Sequence, residues 1–149
     1  MRQSIELLVS CKSVVTFVLA AMALASCRSG AEPVMPLAIT SGHFGGEALF
    51  TGTIDRRGGC IVTTSGRAPF TVLFDEGVSL SADGGGVIDP RNGVEVRFGE
   101  RIQGGAGNLR ENGNGWSVDD IEEFFGVSLP RDCPRNNIMR LGDMHPQPN

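Results

Sequence analysis

Val87-Ile88-Asp89-Pro90-Arg91-Asn92-Gly93-Val94-Glu95-Val96-Arg97-Phe98 decides how the rest of this chain is read. After the turn, Val94, Val96 and Phe98 point one way while Glu95 and Arg97 point the other. That is the period-2 alternation of a half-buried strand. Asp89-Pro90-Arg91-Asn92-Gly93 supplies the turn, since Asn-Gly accepts positive φ, and Val87-Ile88 leads into it. Toward the N-terminus, Ala82-Asp83-Gly84-Gly85-Gly86 separates this hairpin from a weaker strand over 78–81. A strand over 69–74 precedes that one and places Phe70, Val72 and Phe74 on one face. Ser65-Gly66-Arg67 turns back to a strand over 60–64, and Asp55-Arg56-Arg57-Gly58-Gly59 turns back again to a first strand over 47–54. Toward the C-terminus, Gly99-Glu100 bends the chain into Arg101-Ile102-Gln103. Gly104-Gly105-Ala106-Gly107 reads as a tight bend or bulge where backbones approach closely.

One helix interrupts the strands. Ser117 precedes Val118-Asp119-Asp120, an approximate capping box with acids at the positive end of the dipole. Val118, Ile121, Phe124 and Phe125 form its apolar stripe, and Gly126 ends it. Such a helix is expected to cover an open end or seam of the sheet. Trp116, just before it, reads as a core anchor rather than a ligand platform. The folded region is expected to span 43–135. The stretch 136–149 ends in His145-Pro146-Gln147-Pro148-Asn149 and reads as a loose tail.

The N-terminus carries a different signal. Arg2 and Lys12 precede a nearly unbroken apolar run over 13–24, about the length of a signal h-region and short for a bilayer-spanning helix. It ends in Leu24-Ala25-Ser26-Cys27. This resembles the lipobox of bacterial lipoproteins. The resemblance implies that 1–26 is a signal peptide, that the Cys27 thiol receives a diacylglyceryl group, and that the new N-terminus is acylated. More than one acyl chain anchors stably. The residue after Cys27 is Arg28, not the aspartate of inner-membrane retention, so the expected address is the outer membrane, facing the periplasm. Residues 27–42, with two prolines and small side chains, read as the lipidated cysteine and a flexible tether.

Without Arg2, Lys12 and Glu6, the 13 basic and 17 acidic residues fall to 11 and 16, and the formal charge moves from −4 to −5. A negative domain does not attract a polyphosphate backbone, so nucleic acid is not an expected partner. Of four cysteines, Cys11 leaves with the signal and Cys27 carries lipid. Cys60 and Cys133 remain, and in an exported domain they read most simply as a disulfide. The rivals are a metal site, for which His43 and His145 lie outside the expected core, and a nucleophilic thiol, which needs a base nearby.

A second resemblance covers roughly 85 residues, from Phe50 to Cys133. It rests on Gly52, on Gly59-Cys60-Ile61-Val62 and on the 69–74 strand. It continues through Asn92-Gly93-Val94-Glu95-Val96-Arg97-Phe98-Gly99-Glu100-Arg101-Ile102, the glycines at 104–107 and Pro130-Arg131-Asp132-Cys133. These are similar to a group of small, uncharacterised exported bacterial proteins and lipoproteins. The group implies a compact β-barrel-like domain with a disulfide between elements, and it brings no catalytic residues. The fold expected is therefore mainly β: a small antiparallel, OB-like barrel with one short C-terminal helix and a disulfide staple.

No chemistry-bearing motif is complete. The glycines at 104–107 lack dinucleotide-loop spacing and the Lys-Ser/Thr of a phosphate loop. Asp83 and Asp89 flank a glycine run without a calcium-loop pattern. Asp119, Asp120, Glu122 and Glu123 lie on one short helix, whereas glycoside hydrolysis needs carboxylates facing across a cleft. Ser41-Gly42-His43 has no third partner for a triad. Arg56 and Arg57 at a hairpin turn are candidates for binding an anionic envelope polymer, with a solvated tip as the plain alternative. The expected function is a membrane-anchored envelope lipoprotein that binds an envelope protein or glycan, or serves structurally, with no cofactor, metal or catalytic residue. The alternative is an envelope hydrolase using surface carboxylates.

Overall fold

A computed structural model describes residues 36–38, 48–66 and 68–148. The elements in order are β1 (Leu37–Ala38), β2 (Ala48–Arg57), β3 (Cys60–Thr64), β4 (Phe70–Phe74), β5 (Ser79–Leu80), β6 (Gly86–Asp89), β7 (Val94–Arg97), β8 (Arg101–Glu111), β9 (Asn114–Gly115), α1 (Val118–Phe125) and β10 (Ile138–Pro146). The chain is mainly β, as its alternating segments require.

The larger sheet closes on itself. Its strands run β4, β10, β8, β2 and β3, and β3 then pairs with β4 again. Val62 and Thr63 of β3 pair with Thr71 and Phe70 at the start of β4. β1 pairs with Leu73 and Phe74, further along β4. The tether expected over 27–42 therefore contributes a short strand at 37–38. β5, β6 and β7 form a separate antiparallel sheet between β4 and β8 in sequence.

Three expectations are corrected. The segment 136–149 is not a loose tail: Ile138–Pro146 forms β10 and lies between β4 and β8 in the ring. Its apolar side chains Ile138, Met139, Leu141 and Met144 are buried, and that burial outweighs the flanking prolines. The glycines at 104–107 are not a bend but the middle of the 11-residue β8, pairing with both β2 and β10. Close approach does hold at Gly104, where a Cβ would meet the Gly142 carbonyl oxygen at 2.8 Å. Nor is the ring wholly antiparallel. β10 runs parallel to β4, with Ile138 opposite Thr71 and Leu141 opposite Phe74, because the long connection through 75–137 brings the chain back in the same direction.

Alternation divides the strands between two cores. Ile54, Ile61, Phe70, Val72, Phe74, Ile102, Met139 and Leu141 share one cluster with Val78, Val87 and Val96 of the small-sheet region. Residues one step along face the other way: Leu73 and Ile138 pack with Ile121, Phe125 and Leu129 from the helix and the segment after it. β4 is therefore buried on both faces, and α1 packs where β4 and β10 meet. Ser117 caps the helix as expected, its Oγ accepting from the Asp120 N–H at 3.0 Å, and Gly126 closes it in the left-handed region. Thr71 fastens the segment before β10 to β4. Its N–H donates to the Asn137 carbonyl at 2.9 Å and its hydroxyl to the Pro134 carbonyl at 2.7 Å.

Candidate functional site

Cys27, Cys11, His43 and the lipobox lie outside the described residues. Cys60 and Cys133 form a disulfide with a Cα–Cα distance of 5.5 Å, and both are buried beside Val62. The bond joins the start of β3 to the connection between β8 and β10. The metal and free-thiol readings of this pair fall with it.

Arg56 and Arg57 are exposed, and they sit within β2 rather than on its turn, opposite Ile61 and Cys60. Successive strand residues point to opposite faces, so the two side chains leave β2 in opposite directions. Asp119, Asp120 and Glu123 are exposed on α1, while half-buried Glu122 accepts the Leu129 N–H at 2.7 Å and lies 3.7 Å from Arg135. Among the described residues no three histidine, cysteine or acidic side chains gather to hold a metal ion. His145 stands in β10 opposite Gln103.

The sequence gives no hint of a buried ionic cluster at the junction of the two sheets. Asp75 follows β4, Asp89 ends β6, and Arg91 lies in the turn after it. Arg91 donates from Nη1 to Asp75 and from Nη2 to Asp89, each at 2.6 Å, and from Nε to Asp89 at 3.0 Å. Arg140 on β10 approaches Asp75 at 3.5 Å, and Asp143 approaches Arg91 at 3.8 Å. The Asp89 and Asp75 side chains are 0% and 3% exposed, so both carboxylates are shut away from any substrate and face a guanidinium. Hydrogen bonding to Asp89, and then to Asp75, holds the Arg91 guanidinium above its usual range. Gly142 lets β10 pass close to Asp75, where a Cβ would clash with the carboxylate. This cluster is a structural clamp. An exposed counterpart on the small sheet joins Arg97 to Asp83 at 2.6 Å and to Glu95 at 2.7 Å. The Arg97 bond is the main reason the Asp83 carboxyl lies well below the ordinary range.

The accessible chemistry lies in the connection from β8 to β10. β8 and β9 form a hairpin, with Glu111 opposite Asn114. Its two-residue turn, Asn112-Gly113, has φ of 50° and 80°, the combination a tight hairpin of this twist needs. The Asn112 N–H donates to Asn137 Oδ1 at 2.8 Å, and the Gly113 N–H to the Asn136 carbonyl at 2.9 Å. Asn108, Leu109, Arg110, Glu111, Asn112 and Asn114 line an open groove of about 390 Å³ along the hairpin, within the usual size of small-ligand sites, ~300–1,000 Å³.

Trp116 follows Gly115, the last residue of the groove lining, and is not the core anchor its position suggests. It is 42% exposed and Phe124 is 60% exposed. Their rings meet edge to face at 5.1 Å, and both rest on buried Phe125, at 5.9 Å and 5.0 Å. The Trp116 N–H donates to the Leu109 carbonyl at 3.0 Å, and Arg110 Nη1 donates to the Trp116 carbonyl at 2.6 Å. Arg110 Nε is buried with no acceptor among the described residues. The signal for this patch was the Phe124-Phe125 doublet. Neighbours on a helix diverge by about 100°, so a short helix buries one of them and displays the other. Compared with known protein families, curated proteins and solved structures, the chain matches none.

Proposed function

We propose that the chain is a lipid-anchored envelope lipoprotein, outer-membrane and periplasm-facing, whose small OB-like domain binds an envelope ligand without transforming it. The observation that carries the binding reading is the exposed Trp116–Phe124 pair, with Trp116 directly following the hairpin whose residues line the groove. The surface carboxylates Asp119, Asp120 and Glu123 lie together on one short helix, and this supports binding over hydrolysis, because glycoside hydrolysis needs carboxylates facing each other across a cleft.

The strand order supports the OB-like assignment. Counting only the ring strands β2, β3, β4, β8 and β10 as first to fifth, the order is first, second, third, fifth, fourth and back to first, with third and fifth parallel. This is similar to the five-stranded Greek-key barrel of OB folds, which bind oligosaccharides and oligonucleotides through the connections between strands one and two and between four and five. Here those connections are the β2–β3 turn next to Arg56 and Arg57 and the segment bearing Trp116. The Cys60–Cys133 disulfide joins them covalently. Acidic net charge favours the saccharide over the nucleic acid.

The anchor rests on Leu24-Ala25-Ser26-Cys27. Cells fed a clickable fatty acid are expected to label the parent chain and not Cys27→Ala, and the parent is expected in the outer-membrane fraction. Equal label on both chains overturns the anchored reading.

A further inference from the structure

We infer that the β8–β9 groove together with Trp116 is a binding site for a short, uncharged, β-linked oligosaccharide bearing acetamido groups. The inference rests on the reading of the domain as a binding module and names the ligand class of that site.

Four features point to this class. Asn108 and Asn114 are exposed in the groove lining. Asn108 Nδ2 donates to Glu111 at 3.1 Å, which orients its amide, and a primary amide carries two N–H donors and a carbonyl acceptor, matching the acetamido N–H and C=O. Among the described residues the Arg110 guanidinium bonds the Trp116 carbonyl through Nη1, which leaves Nη2 as a donor for a sugar hydroxyl. Trp116, next in the chain after Gly115 of the lining and bonded through its backbone to Leu109 and Arg110, offers an exposed apolar ring. A β-linked pyranose with equatorial substituents presents a flat face of C–H groups, suited to an aromatic ring whose face carries negative charge density. The charge pattern sets the fourth constraint. Arg110 and Glu111 give the groove both signs, and Asp119, Asp120 and Glu123 stand exposed on the helix that carries Phe124. Anionic polymers meet repulsion there, and a neutral glycan does not.

The site is also held in place. The hairpin turn is fixed by Asn136 and Asn137, and the Trp116 backbone is bonded to β8 at both its N–H and its carbonyl. A preformed platform avoids the ordering cost that weakens flexible sites. The mix of stacking surface and amide donors is what a saccharide, apolar on its ring faces and polar at its rim, requires.

The chain has one tryptophan and no tyrosine, so indole emission reads Trp116 alone. Full-length protein in detergent is titrated with a β-1,4-linked N-acetylglucosamine trisaccharide, with an α-1,4-linked glucose trisaccharide and sulfated dextran as comparisons. A saturable emission change is expected with the first and not with the other two. By calorimetry Trp116→Ala lowers affinity about tenfold, and Asn114→Ala, an exposed hairpin change, lowers it several-fold while the unfolding midpoint stays near the parent value. Absence of saturable binding, preference for sulfated dextran, or affinity unchanged in both variants overturns the inference. If the same chain then still crosslinks an envelope partner in cells, the binding-module reading survives without this ligand. Cleavage of the trisaccharide, seen by mass spectrometry, instead overturns the non-catalytic reading and leaves the site standing.

Discussion

Arg91→Met is expected to lower the stability of the domain by about 3–5 kcal/mol, the usual cost of removing one partner from a buried ion pair. In a domain of this size that moves the thermal midpoint by roughly 10 °C or more. The physical reason is stranded charge. Asp89 is fully buried and Asp75 nearly so, and Arg91 bonds both. The cluster also joins the two sheets, which no strand pairing connects: Asp75 after β4 and Arg140 on β10 belong to the larger, and Asp89 ends β6 of the smaller. Arg91→Met with Asp89→Asn is expected to be less damaging than Arg91→Met alone, since one uncompensated charge is gone. Urea unfolding of the parent and both variants checks this. A deficit below about 1 kcal/mol, the range of an exposed pair, contradicts it. The sign with pH follows from the raised pKa of Arg91. The stability it contributes is fully present below the ordinary guanidinium value and is lost only as pH climbs through the raised one. The deficit of the variant therefore stays constant from neutral to mildly alkaline pH.

The second large effect concerns the staple. Cys60→Ser with Cys133→Ser is expected to cost about 4 kcal/mol, the loop-closure value for a separation of 73 residues. The loss is local in its first consequence. Cys133 lies after the helix, in the segment that the bond ties to β3, so hydrogen exchange is expected to quicken first over 127–137 and later over β8. The hairpin turn leans on Asn136 and Asn137, so loosening that segment also loosens the groove. An unchanged midpoint and unchanged exchange over 127–137 contradict this role.

Much of this architecture was legible where one residue type has one use. The alternation over 94–98 became β7, with Val96 buried and Glu95 and Arg97 exposed. Ser117 and Gly126 bounded the helix as their capping chemistry requires. Cys60 and Cys133, the pair left once Cys11 and Cys27 are set aside, became the disulfide. What was not legible depends on partners far away in sequence. Glycines have poor strand propensity, so the run at 104–107 reads as a bend, and only packing against β2 and β10 makes it a strand. β10 is hidden by its own irregularity. The register shifts between Gly142 and His145, and Asp143 has positive φ, which breaks the alternation a strand would show. Of the three Asn-Gly pairs, Asn92-Gly93 draws notice in a turn that also holds a proline, yet Asn112-Gly113 makes the two-residue hairpin that borders the groove.

The site was partly legible as well. Trp116 and the Phe124-Phe125 pair were visible, but their number alone suggests core, and it is the short helix that forces Phe124 outward. The arginines at 56 and 57 attract attention as charge, and strand geometry then sends them to opposite faces. The ionic cluster could not be foreseen, since its members are separated by up to 68 positions from Asp75 to Asp143.

Binding without turnover is tested most directly by one assay on the full-length chain. The protein is held with an insoluble β-1,4-linked N-acetylglucosamine polymer, and the fraction retained and the reducing ends released are measured together. The predicted result is retention of the parent, loss of most retention in Trp116→Ala, and release of reducing ends no faster than in the protein-free control. Retention that Trp116→Ala leaves intact, or reducing ends that accumulate with time and protein concentration, contradicts it.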